Sequence, residues 1–390
     1  MRVLLAFDKF KDSLAARPAC EAAATALRTH HPDWSLDLCP LADGGEGFAE
    51  ILTASAGGSL SSVSVTGPRG AAVDAAFGLV PWAKIPAAAR ALLHLPDSLP
   101  DSAEIAVIEM AAASGLALLP ADQRDPWKTT TLGTGQLIAA AAQAGAAAIV
   151  LGVGGSATHD LGLGALSALG LEARSHAGET IRPPVPARWD LIERISGKIS
   201  GQLPPIRIAC DVSNPLLGRN GAAAVYGPQK GLRPADLTRL DHASARLGLL
   251  LCAQSGASDA LMDQPGAGAA GGIAFGLMAG TGAQLLPGFE LVSAWLDLDA
   301  RITAADLVIT GEGRFDASSL SGKGPGAVAA RALARGKPAH IFAGQVTATD
   351  ARAGLTLHAI TPAGQPLAEA LSAAGTNLTA AVARAVNKFP

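Results

Sequence analysis

Charge and cysteine are both scarce in this chain. Asp, Glu, Lys and Arg make up only 16% of the 390 residues, and the formal net charge is -3. With a pI near 6.2 and basic residues scattered, there is no electrostatic footprint for nucleic acid or for an acidic membrane surface. Cys20, Cys39, Cys210 and Cys252 stand far apart with no CxxC pair. That excludes a zinc ribbon and a disulfide framework, and it suits a reducing cytoplasm. The eight histidines show no metal-ligand spacing, and no Cys or His nucleophile arrangement stands out. Long apolar runs are missing too: residues 137–153 are broken by Gln143 and Gly145, and 271–286 are glycine-rich and hold Gln284. Neither reads as a membrane span. The N-terminal apolar run meets Asp8 at once and does not read as a signal peptide.

What is present is apolar and small: 49% hydrophobic residues with 45 glycines, the composition of a large, tightly packed globular protein. Its length suggests two domains. Short apolar runs at 2–7, 36–41, 104–109, 146–151, 206–210, 306–310, 339–343 and 357–361 alternate with Ala-rich helical patterns, the signature of α/β architecture. A hairpin is expected between 59–65 and 73–80, joined by Thr66-Gly67-Pro68-Arg69-Gly70. The stretch 81–101 reads as a surface loop or short helix and could mark a domain crossing, and 175–205 reads as surface connection. The simplest arrangement has residues 1–66 and 287–390 building one discontinuous doubly wound sheet, with 67–286 inserted as a second α/β domain.

The chemistry-bearing residues cluster where these strands end. In an open parallel sheet that is where ligands bind. Asp8, Lys9 and Lys11 follow the first strand; Ser13 and Asp12 could equally serve the next helix as cap and first-turn acid. Asp43 and Glu46 flank a glycine pair at a spacing suited to a cation or a substrate hydroxyl, or simply to a helix start. Glu109 ends a strand, and Thr129-Thr130-Thr131 open a helix in a manner suited to phosphate or to capping. The segment AAAIVLGVGGSATHD delivers Gly152, Gly154 and Gly155, then Ser156, Thr158 and Asp160: backbone and hydroxyl donors for an anion, with an acid able to hold metal or accept a proton. Asp211 meets an Asx-type turn, Lys230 sits between turn glycines, and Gly311-Glu312-Gly313 stops the strand at 306–310. Such repeated anion cradles and isolated cations are the parts that phosphoryl transfer needs, although Walker A, HRD and DFG are all absent. Gly152 to Ala157 also fits the dinucleotide pattern GxGxxA, so an NAD(P)-dependent hydroxy-acid oxidoreductase is a competing reading, and a non-catalytic nucleotide or sugar-acid sensor is a third.

Taken in order, FDKFKDSL, ADGGEG, IEMAAASGL, TTTLGTG, GVGGSATHD, CDVSNPLLG, YGPQKG, GAGAAGG and TGEGRFD with SGK resemble the type I glycerate kinase family over nearly the whole chain. The resemblance implies a flavodoxin-like domain carrying an inserted domain of restriction-enzyme-like fold. It also implies a kinase that transfers the γ-phosphate of ATP, with Mg2+, to D-glycerate in an interdomain cleft, usually giving 2-phosphoglycerate. Under it, Asp8, Lys11, Asp43, Glu46 and Asp211 are the catalytic candidates, with Asp43 or Asp211 as base. Arg69, Ser156, Thr158 and Lys230 would meet substrate; Gly154, Gly155, Glu312 and Lys323 the nucleotide; Asp160 and Asp211 the metal. A homo-oligomer is left open. The chain departs from the family's usual pattern at Phe7, Lys9, His159, Leu161 and Ser318, while Asp8, Lys11, Asp160 and Lys323 are kept.

Overall fold

The computed structural model describes residues 1–96, 98–199, 201–320, 324–347 and 352–389, with side chains at all of these but 318, 320 and 388. Its strands in chain order are β1 (Arg2–Phe7), β2 (Ser35–Leu38), β3 (Ser59–Thr66), β4 (Ala72–Pro81), β5 (Glu104–Glu109), β6 (Ala148–Gly152), β7 (Leu171–Arg174), β8 (Arg194–Gly197), β9 (Ile206–Ala209), β10 (Gln284–Leu286), β11 (Leu307–Phe315), β12 (Ala339–Val346) and β13 (Leu355–Ala359). The chain packs as two compact units, Met1–Asp43 with Val292–Pro390, and Gly44–Leu291.

The first unit holds a five-stranded sheet in the order β13-β12-β11-β1-β2, parallel throughout. Counted along this unit alone the order is 2-1-3-4-5, that of flavodoxin-like doubly wound sheets, and the winding reverses between β1 and β11. Continuous apolar strands suit this central position: Val3 to Phe7 are fully buried. Alternation sorts them, because Val3, Leu5 and Phe7 pack with Leu307, Ile309 and the helices Ala16–His30 and Ala374–Ala385. Leu4 and Ala6 are equally buried, so both faces of the sheet are covered.

The strand expected to stop at Thr310 runs on to Phe315 and pairs with β12 as far as Val346, so Glu312 lies in a strand and not in a loop. Glycine permits this: a Cβ on Gly311 would stand 2.0 Å from the Phe342 carbonyl oxygen, and one on Gly344 2.5 Å from that of Gly313.

The second unit is built on a six-stranded mixed sheet in the order β10-β9-β6-β5-β4-β3. β5, β6, β9 and β10 run parallel, and β3 and β4 join as the expected hairpin. Because β3 pairs with β4 from Ser59 to Thr66, the packing boundary falls at Asp43–Gly44 instead of after Thr66. The stretch 81–101 is no crossing either. It lies within the second unit, where Ala89 and Leu93 of the helix Ala87–Leu93 are buried. Nor is 175–205 mere surface. Ile181, Val185, Trp189, Ile192 and Ile195 are buried, and β8 pairs with β7, so apolar anchors in a polar, Pro-rich run build structure there. Among the described residues no helix is long and apolar enough to cross a membrane.

Substituting Gly311→Ala tests the close approach of β11 and β12. The clash with the Phe342 carbonyl has no flexible side chain to absorb it, so urea denaturation is expected to show a loss of about 1–3 kcal/mol.

Candidate active site

In the first unit, β1 delivers Asp8 at the point where the winding reverses. The Asp8 N–H donates to the Gly311 carbonyl at 3.0 Å, which fixes the residue against the neighbouring strand. One carboxylate oxygen accepts the Lys9 N–H at 2.7 Å, and the Lys9 ammonium reaches the Asp43 carboxylate at 2.7 Å. Burial pushes the Asp8 carboxyl up to about 7; the charges of Asp43 and Glu312 raise it further and Lys9 opposes them. Glu312 is also pushed up to about 7, by burial first and then by Asp316 and Asp43, against a hydrogen bond from Ser319. Its Oε1 is buried with no hydrogen-bond partner among the described residues. Asp8 and Glu312 thus both titrate near neutrality, with the Lys9–Asp43 pair beside Asp8. Lys11 is exposed, and Ser13 caps nothing: its hydroxyl donates to the Phe10 carbonyl, while the helix takes Ala15 as its N-cap.

In the second unit, β6 ends in two glycines whose missing side chains have a visible reason. A Cβ on Gly152 would lie 2.4 Å from the Gly44 carbonyl oxygen, and one on Gly154 2.7 Å from Gly45. The Gly154 N–H donates to the Gly44 carbonyl at 2.9 Å, so two glycine segments lie backbone against backbone. Gly155 follows with φ +71°, and the N–H groups of Gly155 and Ser156 meet no acceptor among the described residues. Beyond them the loop is fastened inward. Gly155 O accepts from Leu116 N–H at 2.8 Å, Ala157 N–H donates to Ser114 O at 2.9 Å, and the Thr129 hydroxyl donates to Ala157 O at 3.0 Å.

Asp160 corrects two expectations together. Its side chain is fully buried, and its carboxylate takes the Thr131 N–H at 2.7 Å, the Thr131 hydroxyl at 3.0 Å and the N–H groups of Gly162 and Gly164 at 3.2 Å. Both oxygens are occupied, which leaves no geometry for a metal. The anion at the threonine-rich helix start is therefore the protein's own carboxylate, and Thr129 to Thr131 are buried around it instead of facing a phosphate. Burial raises the Asp160 pKa against the opposing pull of those hydrogen bonds.

Lys230 is not an exposed turn lysine but 1% exposed, donating to Ser156 Oγ at 2.9 Å and to the Thr158 carbonyl at 2.6 Å. Burial pushes its ammonium down to about 7 against the pull of Asp160. Thr158 is fully buried, so its hydroxyl is no surface donor. His159 packs beside them with Nε2 3.1 Å from Ser244 Oγ. The Ser244 hydroxyl proton is taken by Leu240 O at 2.8 Å, so His159 Nε2 is the donor to Ser244 Oγ. Burial, then Lys230, hold the His159 pKa down at about 3.

Several candidates fall away from the chemistry. Asp211 accepts the Phe289 N–H at 2.9 Å at the start of the helix Gly288–Trp295, where it serves as a cap. Arg69 donates to the Gln123 carbonyl at 2.8 Å on the surface. Asp43 and Glu46 are parted by the boundary between the units, Asp43 beside Lys9 and Glu46 exposed. Lys323 lies outside the described residues. Gly271 is a close-approach glycine, with φ +75° and a would-be Cβ 2.0 Å from the Thr158 carbonyl oxygen. The sequence reading undervalued Lys9, although a cation next to a strand-end acid was a usable signal.

Within each unit, several of the glycine- and acid-bearing segments named from sequence lie at strand ends, Asp8 after β1 and Gly154–Ser156 after β6. The profile of the glycerate kinase family matches residues 3–389. The chain belongs to the glycerate kinase family. Glycerate 2-kinase of Escherichia coli K12 is 39% identical over 349 residues, covering 89% of this chain and 86% of that one. Glycerate kinase of Bacillus subtilis 168 is 38% identical with the same shares. A crystal structure assigned as glycerate kinase 2, from Salmonella typhimurium LT2, superposes with a TM-score of 0.76 at 38% identity, over 100% of this chain and 98% of that one. Membership in this family makes the chain an ATP-dependent kinase acting on an alcohol group, and displaces the dinucleotide reading. The geometry gives Gly152 and Gly154 another duty in any case.

Asp160→Ala removes the acceptor of three backbone N–H groups at once. A loss of about 3–5 kcal/mol is expected in urea denaturation, with Asp160→Asn, which keeps one acceptor oxygen, falling in between.

Proposed function

We propose that this protein transfers the γ-phosphate of ATP to a hydroxyl of D-glycerate, giving 2-phosphoglycerate and ADP, with Asp8 as the general base. The observation that carries the assignment of the base is the acid cluster where the winding reverses, in which Asp8 and Glu312 both stand near 7. A base works best with a pKa close to the working pH, since it must be ionised yet still bind a proton well. Asp211 is engaged as a helix cap and Asp43 is half-exposed beside Lys9, which leaves Asp8 better suited than either acid favoured from sequence.

In the proposed step Asp8 takes the proton of the attacking hydroxyl as its oxygen bonds to the γ-phosphorus, and the bond to the departing ADP oxygen breaks. The open amides of Gly155 and Ser156, with the Ser156 hydroxyl, suit an anionic group of a substrate. A Mg2+ ion accompanying ATP would supply positive charge to the phosphates. Glu312 fits as a protein contact for it, because its Oε1 is buried with no hydrogen-bond partner among the described residues. Among the described residues no three acids or histidines form a metal cage, in keeping with an ion held largely by phosphate and water.

Purified protein with Mg-ATP and D-glycerate should release ADP, and phosphorus NMR should place the product phosphate on carbon 2. Absence of ADP would favour a sensor, and a 3-phosphate would correct the regiochemistry. Asp8→Asn should lower kcat by about 10²–10⁴-fold, and wild-type kcat/KM should fall as pH drops below about 7. The same substitution should affect stability in the opposite sense. A carboxyl raised from 3.8 to about 7 binds protons more tightly in the folded chain, so ionising it costs stability that is fully lost above pH 7. Asp8→Asn should therefore raise the Tm at pH 8 by roughly 2–4 °C, with the gain vanishing near pH 4.

A further inference from the structure

We propose that Lys230 is a positioning residue which sets the anion cradle at Gly154–Ser156 from inside the protein, acting through the Ser156 hydroxyl without touching substrate. This rests on the reading of that loop as the seat of an anionic group. Lys230 closes the 3-10 turn Pro228–Lys230, and Gly231 with φ +91° turns the chain away behind it. Its stem is enclosed, and its ammonium ends on Ser156 Oγ and the Thr158 carbonyl.

Two consequences follow from the donor and acceptor chemistry. Ser156 Oγ accepts from an ammonium, so its own proton is left to donate elsewhere, and the nearby positive charge makes that donation stronger. The Thr158 carbonyl is held towards Lys230, which fixes the peptide plane behind the cradle. On the far side of the same short segment Asp160 is held by Thr131, Gly162 and Gly164. The segment from Ser156 to Asp160 is thus clamped between a buried cation and a buried anion, and the Gly155 and Ser156 amides sit at its open end. A lysine that faced phosphate directly would need its ammonium at the surface; this one has spent two of its three donors inside.

A double-mutant cycle with kinetics decides the matter. Lys230→Met, which keeps the length and loses the charge, should raise KM for ATP or for D-glycerate about 10–100-fold, the weight of a charge-assisted hydrogen bond, with kcat within about threefold. The substrate whose KM moves tells whether the cradle takes phosphate or carboxylate. Ser156→Ala should give a similar rise, and the double variant should be no worse than the weaker single one, because both act through one hydroxyl. Should Lys230→Met be too unstable to assay, Lys230→Gln, which keeps N–H donors without the charge, carries the same comparison. Additive effects, or unchanged KM for both substrates in the Lys230 variant while Ser156→Ala is impaired, would overturn the inference and leave the cradle standing. Unchanged KM in Ser156→Ala itself would remove the cradle and the inference together.

Discussion

The carboxylate of Asp160, enclosed and held by the helix start at Thr131 and by the turn through Gly162 and Gly164, is the interaction on which the second unit's loop depends. Helix N-termini carry unpaired N–H groups and partial positive charge, so an anion is well placed there. Had the chain left that place to a ligand, the segment after β6 would be free to move. By filling it with its own acid, the fold fastens residues 157–160, and the loop proposed to take an anion lies just before them, at Gly155 and Ser156. The neighbouring Lys230 then has a function that a surface lysine could not perform, since an ammonium without water is strong only where its acceptors are fixed.

Glycine is the second constraint, and it acts through contact more than through flexibility. Gly152 and Gly154 are bare because the Gly44–Gly45 backbone lies against them, and Gly271 is bare because the Thr158 carbonyl does. In a chain with 45 glycines, motif matching alone cannot separate such duties from phosphate binding. Backbone-on-backbone contact brings loops from distant parts of the sequence into register without side chains between them. That is how ADGGEG, GVGGSATHD and GAGAAGG come to form one assembly in the second unit.

This division also explains what was legible in the sequence. The parallel sheets were, since β1, β5 and β6 are short apolar runs ended by acids or glycines, and the hairpin was, since β3 and β4 alternate about a Gly-Pro turn. The extension of β11 through Glu312 was not. Gly311 and Gly313 read as a loop by composition, and only the partner strand shows that they permit close pairing. The same held for Trp189 and Ile192 in a proline-rich stretch, where tertiary burial overrode local polarity. The positions of Asp8 and Ser156 just beyond β1 and β6 could be named from the apolar runs before them. The true surroundings of Asp160, Asp211 and Lys230 could not, because a carboxylate that caps a helix and one that meets substrate look alike until their hydrogen bonds are seen.

The two units handle buried charge in opposite ways, and the contrast bears on how such an enzyme is built. In the second unit Asp160 accepts from Thr131, Gly162 and Gly164, and Lys230 donates to Ser156 and to the Thr158 carbonyl, so each serves shape. In the first unit Lys9 pairs with Asp43 beside Asp8, and Glu312 Oε1 is buried with no hydrogen-bond partner among the described residues. Ionising the raised carboxyls of Asp8 and Glu312 opposes folding at neutral pH, and a chain selected for stability alone would replace one of them by an amide. That cost, placed at the reversal point of a parallel sheet, suits the proposed reaction, in which Asp8 receives the proton of the acceptor hydroxyl. Metal-bound nucleotide would bring positive charge and the acceptor hydroxyl a proton, and each would relieve the repulsion among the ionised acids, so part of the folding cost would return as binding of the two substrates.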